Sequence, residues 1–190
     1  MKNTLILAAS LAAIALGGCS KKDETPTVAT DVAPDVAASD PMAGATATPA
    51  ASPAQAFADA AATSDMFEIE TSKLAATQAG AAKVKTFAEQ MIKAHTESTA
   101  KLKIAASAAS PAITPMPSMT AMQQQTLADL QGKSGADFDK AYAAAQVDAH
   151  QMTLDALKAY AASGEAASLK SFAGGMVPTV TAHLNMAKAL

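Results

Sequence analysis

The sequence predicts an all-α domain: four long helices in two antiparallel hairpins, joined by a long crossover that carries a short helix of its own. Three observations predict it. From Pro53 to Leu190 the chain is dominated by Ala, Leu, Met, Lys, Gln and Glu, which are strong helix formers, and alternating β-branched runs are absent. Helix breakers divide this stretch at Gly80, at the cluster Pro111, Pro115 and Pro117, at Gly132 and Gly135, and at Gly164. Each long segment between breakers carries an apolar stripe with spacing three and four, as a helix with one buried face requires.

The first helix is expected from about Pro53 to Ala79, with Ser52 as N-cap and Pro53 at the first helical position, where its missing N–H costs nothing. Its inward face reads Phe57, Ala61, Ser64, Phe67 with Glu68, Thr71, Leu74 and Gln78. The second, about Ala81 to Ser107, carries Val84, Phe87, Ala88, Met91, Ile92, His95, Thr99 and Leu102. The next long helix, about Ala136 to Ser163, shows Tyr142, Val147, His150, Leu154, Leu157 and Ala161. The last, about Glu165 to Ala189, shows Leu169, Phe172, Met176, Val180, His183 and Met186, with Leu190 just beyond.

Only a few residues separate the helices within each pair, so each pair must fold back on itself as a hairpin. Between the pairs lie about 28 residues, Ala108 to Gly135, including a short amphipathic helix from Met119 to Gln131; a connection that long can run the ~40 Å length of a 27-residue helix. This is the one-crossover topology of ferritin-like four-helix bundles. An internal echo points the same way. Val84-Lys85-Thr86-Phe87-Ala88 with Met91-Ile92 and His95 matches Leu169-Lys170-Ser171-Phe172-Ala173 with Met176-Val177 and His183. Duplication of a hairpin and chance likeness between Ala-rich helices both account for it.

Ahead of the domain, residues 1–18 read as a signal peptide: Lys2, the apolar run Leu5 to Leu16, then Leu16-Gly17-Gly18 before Cys19. The run is shorter than the ~20 residues that a helix needs to span a bilayer. Leu-Gly-Gly-Cys is the pattern of a lipobox, which predicts cleavage before Cys19 and lipidation of its thiol. Cys19 is the single cysteine, so neither a disulfide nor a thiolate cluster can form within the chain. Ser20 in place of an acidic residue resembles the outer-membrane sorting signal and predicts a periplasm-facing lipoprotein. Residues 19–51, rich in Ala, Pro, Thr, Val and Asp with Pro26, Pro34, Pro41 and Pro49, read as a disordered tether. Its typical reach is on the order of 30 Å. Residues 52–190 form one domain.

The chain has a formal net charge of −3, and all 14 of its basic residues are lysines, with no Trp. An acidic chain without guanidinium groups is not built for nucleic acid. A nucleophile elbow, a phosphate-binding glycine loop, an HExxH helix and a CxxC pair are all absent from the sequence.

Ordered motifs on all four long helices carry a family resemblance. They are Asp65-Met66-Phe67-Glu68-Ile69-Glu70 with Lys73-Leu74-Ala75; Val84-Lys85-x-Phe87-Ala88-x-x-Met91-Ile92-x-x-His95; Phe138-Asp139-x-x-Tyr142 with Asp148-x-His150; and Pro178-Thr179 with His183-Leu184. Together they resemble the ferritin-like domain-of-unknown-function family four-one-four-two, whose members are often labelled predicted outer-membrane proteins. The resemblance implies the bundle fold over the whole domain and carries no established activity with it.

One constellation has chemical potential. The three histidines fall on the apolar stripes of three different helices, His95, His150 and His183, and Glu68 falls on that of the first. At 1.5 Å per residue, Glu68 and His95 lie about 18 and 22 Å from their shared turn, and His150 and His183 about 21 and 28 Å from theirs. All four are therefore expected near mid-bundle, where imidazole and carboxylate suit a single Zn, Fe, Mn or Cu ion. A di-iron centre is not expected, because the positions three before the histidines hold Ile92, Val147 and Val180 rather than glutamate. The competing expectation is a set of core polar groups hydrogen-bonded to one another. Met116, Met119 and Met122 are a second candidate, for Cu(I), or else packing for the crossover helix. Asp148 is two residues from His150 and faces another way. Pro178 should kink the last helix.

Two functions follow as expectations. The first is a non-enzymatic, membrane-tethered binding or envelope-stress protein whose protein partner or small ligand the sequence does not specify. The alternative is a mononuclear metalloprotein that stores, senses or does redox chemistry with its ion.

Overall fold

The computed structural model describes residues 51–190; the expected signal peptide, Cys19 and the expected tether through residue 50 lie outside the described residues. Five helices follow in order: α1 (Pro53–Gln78), α2 (Ala82–Ser107), α3 (Ala121–Gln131), α4 (Gly135–Ser163) and α5 (Ala167–Ala187). The expected N-cap is present, with Ser52 accepting a hydrogen bond from the Gln55 N–H at 3.1 Å and Pro53 beginning α1. The crossover helix starts two residues later than Met119 because Thr120 and Gln123 form a reciprocal capping box that fixes its first turn. No helix among the described residues is long and apolar enough to cross a membrane.

α1 with α2, and α4 with α5, pack as hairpins, and the hairpins meet through α1 against α4 and α2 against α5. The crossover climbs the full length of α1. Gln55 on its first turn donates to the Thr114 carbonyl, Thr63 accepts from the Ser118 N–H, and Gln78 at its far end donates to the carbonyls of Leu130, Gln131 and Lys133. That climb is why the α2–α4 connection is long: α4 has to begin at the end of the bundle that α2 left.

The joint at that end depends on two glycines. A side chain on Gly80 would meet the Gly135 backbone at 3.1 Å, and Gly135 has φ +60, the left-handed region open to glycine. Asp139 accepts from the N–H groups of Gly80 and Ala81 at 3.0 and 2.8 Å, pinning the α1–α2 turn to α4.

The apolar core is divided in two. One cluster, at the α1 N-terminal end, packs Phe57, Leu102, Leu157, Tyr160 and Leu169, with the Phe57 and Tyr160 rings stacked at 3.8 Å. The other, at the opposite end, packs Val84, Phe87, Met91, Leu130, Phe138 and Tyr142. Pro178 sits inside α5 without ending it, on an exposed face, and deprives the equally exposed Gly174 carbonyl of its helical donor.

Candidate metal centre

Between the two apolar clusters lies a belt of buried polar side chains: Asp65, Glu68, Thr71 and Ser72 on α1, His95 and Ser98 on α2, Gln146 and His150 on α4. His183 on α5 closes it, half-buried. The four helices contribute at the same height because the hairpin turns put residues roughly equidistant from the bundle ends side by side. The three imidazoles form a near-equilateral triangle, with ring centroids 5.5, 5.7 and 5.5 Å apart. Each ring offers one nitrogen, and the three nitrogens all lie within 4.8 Å of one another.

Hydrogen bonds decide which nitrogens are free. His95 Nδ1 lies 2.8 Å from Asp65 Oδ1, and because a carboxylate accepts, Nδ1 carries the proton. Thr99 Oγ1 donates to the other oxygen of Asp65 and holds the carboxylate in place. His150 Nδ1 donates to the Gln146 carbonyl at 2.8 Å. His95 Nε2, His150 Nε2 and His183 Nδ1 are buried and have no hydrogen-bond partner. Among the described residues six buried side-chain polar atoms lack a hydrogen bond, and all six are in the belt: those three nitrogens, both oxygens of Glu68 and the Gln146 Oε1. Each such atom costs about 1–3 kcal/mol in an interior. All six lie in one layer of the bundle, which a cavity with room for a water or an ion adjoins at His95 and His183.

Burial sets the protonation. It pushes His150 down to about 3 and His183 down to about 4, with the charge of His95 acting in the same direction, so both rings keep their lone pairs at neutral pH. Burial would lower His95 as well, but the Asp65 hydrogen bond and then the negative charge of Glu68 outweigh it and raise His95 above the usual range. Glu68 is pushed up to about 7 by burial, partly offset by the charge of His95. Its Oε1 is 3.6 Å from His150 Nδ1, too far for a hydrogen bond; the neighbouring Gln146 amide donates to Thr71 Oγ1 at 3.2 Å instead. Burial also raises Tyr142, whose hydroxyl pairs with Ser72 at 2.7 Å on the edge of the belt.

Three nitrogens bound to one ion at ~2.0 Å in a plane are about 3.5 Å apart, so the rings have to close by no more than roughly 1.3 Å from their present separation. Asp65 on His95 and the Gln146 carbonyl on His150 are the outer hydrogen bonds that orient metal-bound imidazoles. The sequence placed His95, His150 and His183 together, and the structure does so. Glu68 is beside them, fully buried, in contact range of His150 rather than within the nitrogen triangle. Asp148 is exposed. Met116 and Met122 are 67% and 74% exposed on the crossover, and neither lines the cavity at the histidines.

Two belt residues were missed as site members. Asp65 lies three before Glu68, and Gln146 four after Tyr142 and four before His150, so each shares a helix face with residues already read as inward. Helical register was the signal, and polarity at those positions concealed it.

Residues 39–190 match the domain of unknown function DUF4142. The chain belongs to this family. As a DUF4142 chain it carries its histidine triad between two apolar clusters of the bundle. Among proteins of curated function none is similar enough in sequence to count as a match. Among solved structures the bundle is similar to CopM in its Cu(I)-bound form, with a TM-score of 0.58 and 14% sequence identity over 72% of this chain and 93% of CopM. At that identity the likeness establishes a shared fold.

Proposed function

We propose that this chain is a binding protein for one transition-metal ion, copper as Cu(I), held by His95, His150 and His183. The observation that carries the reading is the convergence of three imidazoles, one nitrogen of each within 4.8 Å of the others, each ring having a buried nitrogen without a hydrogen-bond partner. Neutral imidazole suits Cu, Zn, Fe and Ni. Three ligands complete a trigonal Cu(I) site, whereas Zn(II) fills a fourth position; the one group near enough to serve is Glu68, whose raised pKa makes it a poor anionic ligand at neutral pH. A bundle of the same fold in a Cu(I)-bound form supports copper as the ion. Two bridging ions are not part of the proposal, because Ile92, Val147 and Val180 stand where a di-iron centre has carboxylates.

The same proposal includes a lipid on Cys19 and a place on the periplasmic face of the outer membrane, which the Leu16-Gly17-Gly18-Cys19 run and Ser20 support. A Cys19→Ser chain recovered in the soluble rather than the membrane fraction would support the anchor.

The test of the metal site is copper content and competition against a Cu(I) chelator, without an affinity tag. One copper per chain, lost on His150→Ala and His183→Ala while helicity is kept, is the expected result. A wild-type chain that takes up no copper from the chelator, or variants that bind as it does, would sink the reading.

A further inference from the structure

We propose that the face formed by α2 and α5 is the port through which the ion enters and leaves, with Met176 as a transient ligand at its threshold and His183 as the movable third ligand. The proposal rests on the metal reading above and adds a route and a residue to it. A cavity of about 20 Å³, room for a single ion or water, lies against His95 and His183 and is bounded on α5 by Phe172, Met176 and Val180. Outside it, on the same face, is an open groove of about 590 Å³, beside which Ile104 is 70% exposed. Phe172 and Met176 line both spaces, so on this face these two side chains are the partition between the groove and the cavity. The groove on α1 and α4 also borders the cavity, through Ala61, Thr153 and Leu157, but none of those three side chains offers a soft ligand.

Met176 supplies the one sulfur on that partition. A thioether is a soft, uncharged ligand on an unbranched, flexible arm, which suits a short-lived hold on Cu(I) while water is shed. Beyond it, the three rings differ in how they are fixed. His95 is held at Nδ1 by Asp65 and His150 at Nδ1 by the Gln146 carbonyl, whereas His183 Nδ1 has no partner and the residue is half-buried on the port side. Pro178 lies between Met176 and His183 and removes one rung from the hydrogen-bond ladder of α5. The rigid half of the site is therefore on α2 and α4, and the half that can turn is on α5, the helix that also carries Phe172 and Met176.

The experiment is anaerobic stopped-flow exchange of Cu(I) between a bicinchoninate complex and the full chain, for wild type, Met176→Leu and Met152→Leu. Leucine keeps the volume of methionine and removes the sulfur; Met152, 58% exposed on α4, is the control on a different face. Met176→Leu is expected to slow both loading and removal by about tenfold, with one copper per chain and an unchanged equilibrium constant, and Met152→Leu is expected to match wild type. Wild-type rates in Met176→Leu would overturn the port. So would weaker equilibrium binding with faster removal, which would make Met176 a resting ligand. Failure of wild type itself to take up copper would instead overturn the binding reading on which the port rests, so the two failures are distinguishable.

Discussion

The two ends of the bundle and its middle are built on opposite principles. At the ends, Phe57, Leu102, Tyr160 and Leu169, and Val84, Phe87 and Phe138, fill space with apolar surface and leave nothing polar unpaired. In the middle, the same four helices bury Asp65, Glu68, His95, Gln146 and His150, and every buried side-chain polar atom of the described residues that lacks a hydrogen bond is there. Well-packed apolar replacements of such buried polar groups are often neutral or stabilising. The ends hold the bundle together, and the middle spends some of that stability on a convergent set of polar groups.

The largest effect is expected from Leu102→Ala at the end that includes Phe57, where the side chain is 1% exposed: a loss of about 2–5 kcal/mol in denaturant unfolding, with copper stoichiometry kept wherever the variant is folded. Loss of copper from the folded variant would show that ends and middle are not separable. Next comes the ligand itself. Copper at a hundredfold excess over its dissociation constant should add about 2.7 kcal/mol, raising Tm by roughly 10 °C for a domain of this size. The His183→Leu chain should show no such rise by calorimetry.

The acid side of the pH profile separates the regions further, because the shifted groups among the described residues are all in the belt or on its edge. His150 and His183 have folded pKa values below the unfolded one, so their contribution is present above pH ~6.5 and lost as pH falls toward 4. Glu68 is raised to about 7, so between pH ~4.5 and 7 the folded state holds a proton that the unfolded state does not, which offsets one histidine. His95 is raised too, and its contribution is present below pH ~6.5 and lost as pH rises through its folded pKa. Stability of the copper-free chain is therefore expected to peak near pH ~6.5 and to fall on the acid side by at most roughly 1.4 kcal/mol per unit, less in so far as His183 is solvated. Glu68→Gln should steepen that acid limb in urea unfolding; an unchanged slope would mean that the carboxyl is ionised in the fold.

The smallest effect is expected from His183→Leu without metal, a change within about 1 kcal/mol, since a half-buried ring with an unpaired Nδ1 gives way to an apolar side chain. A much larger loss would mean that His183 is a structural member of the belt.

Much of this was legible in the chain. Stripes at spacing three and four, with breakers at Gly80, Pro111 and Gly164, determined four helices in two hairpins, and the length from Ala108 to Gly135 determined a crossover able to return along α1. Counting residues from the two turns brought three histidines to one height, because helical rise is constant and helix ends are marked in the sequence. What the sequence did not determine is which atoms face which. Asp65 on His95, the Gln146 carbonyl on His150 and the bare Nδ1 of His183 follow from the rotation of each helix about its axis and from rotamers chosen by neighbours on other helices. Those choices depend on packing between segments far apart in the chain, so only the tertiary structure decided that the belt holds three free nitrogens rather than three satisfied ones.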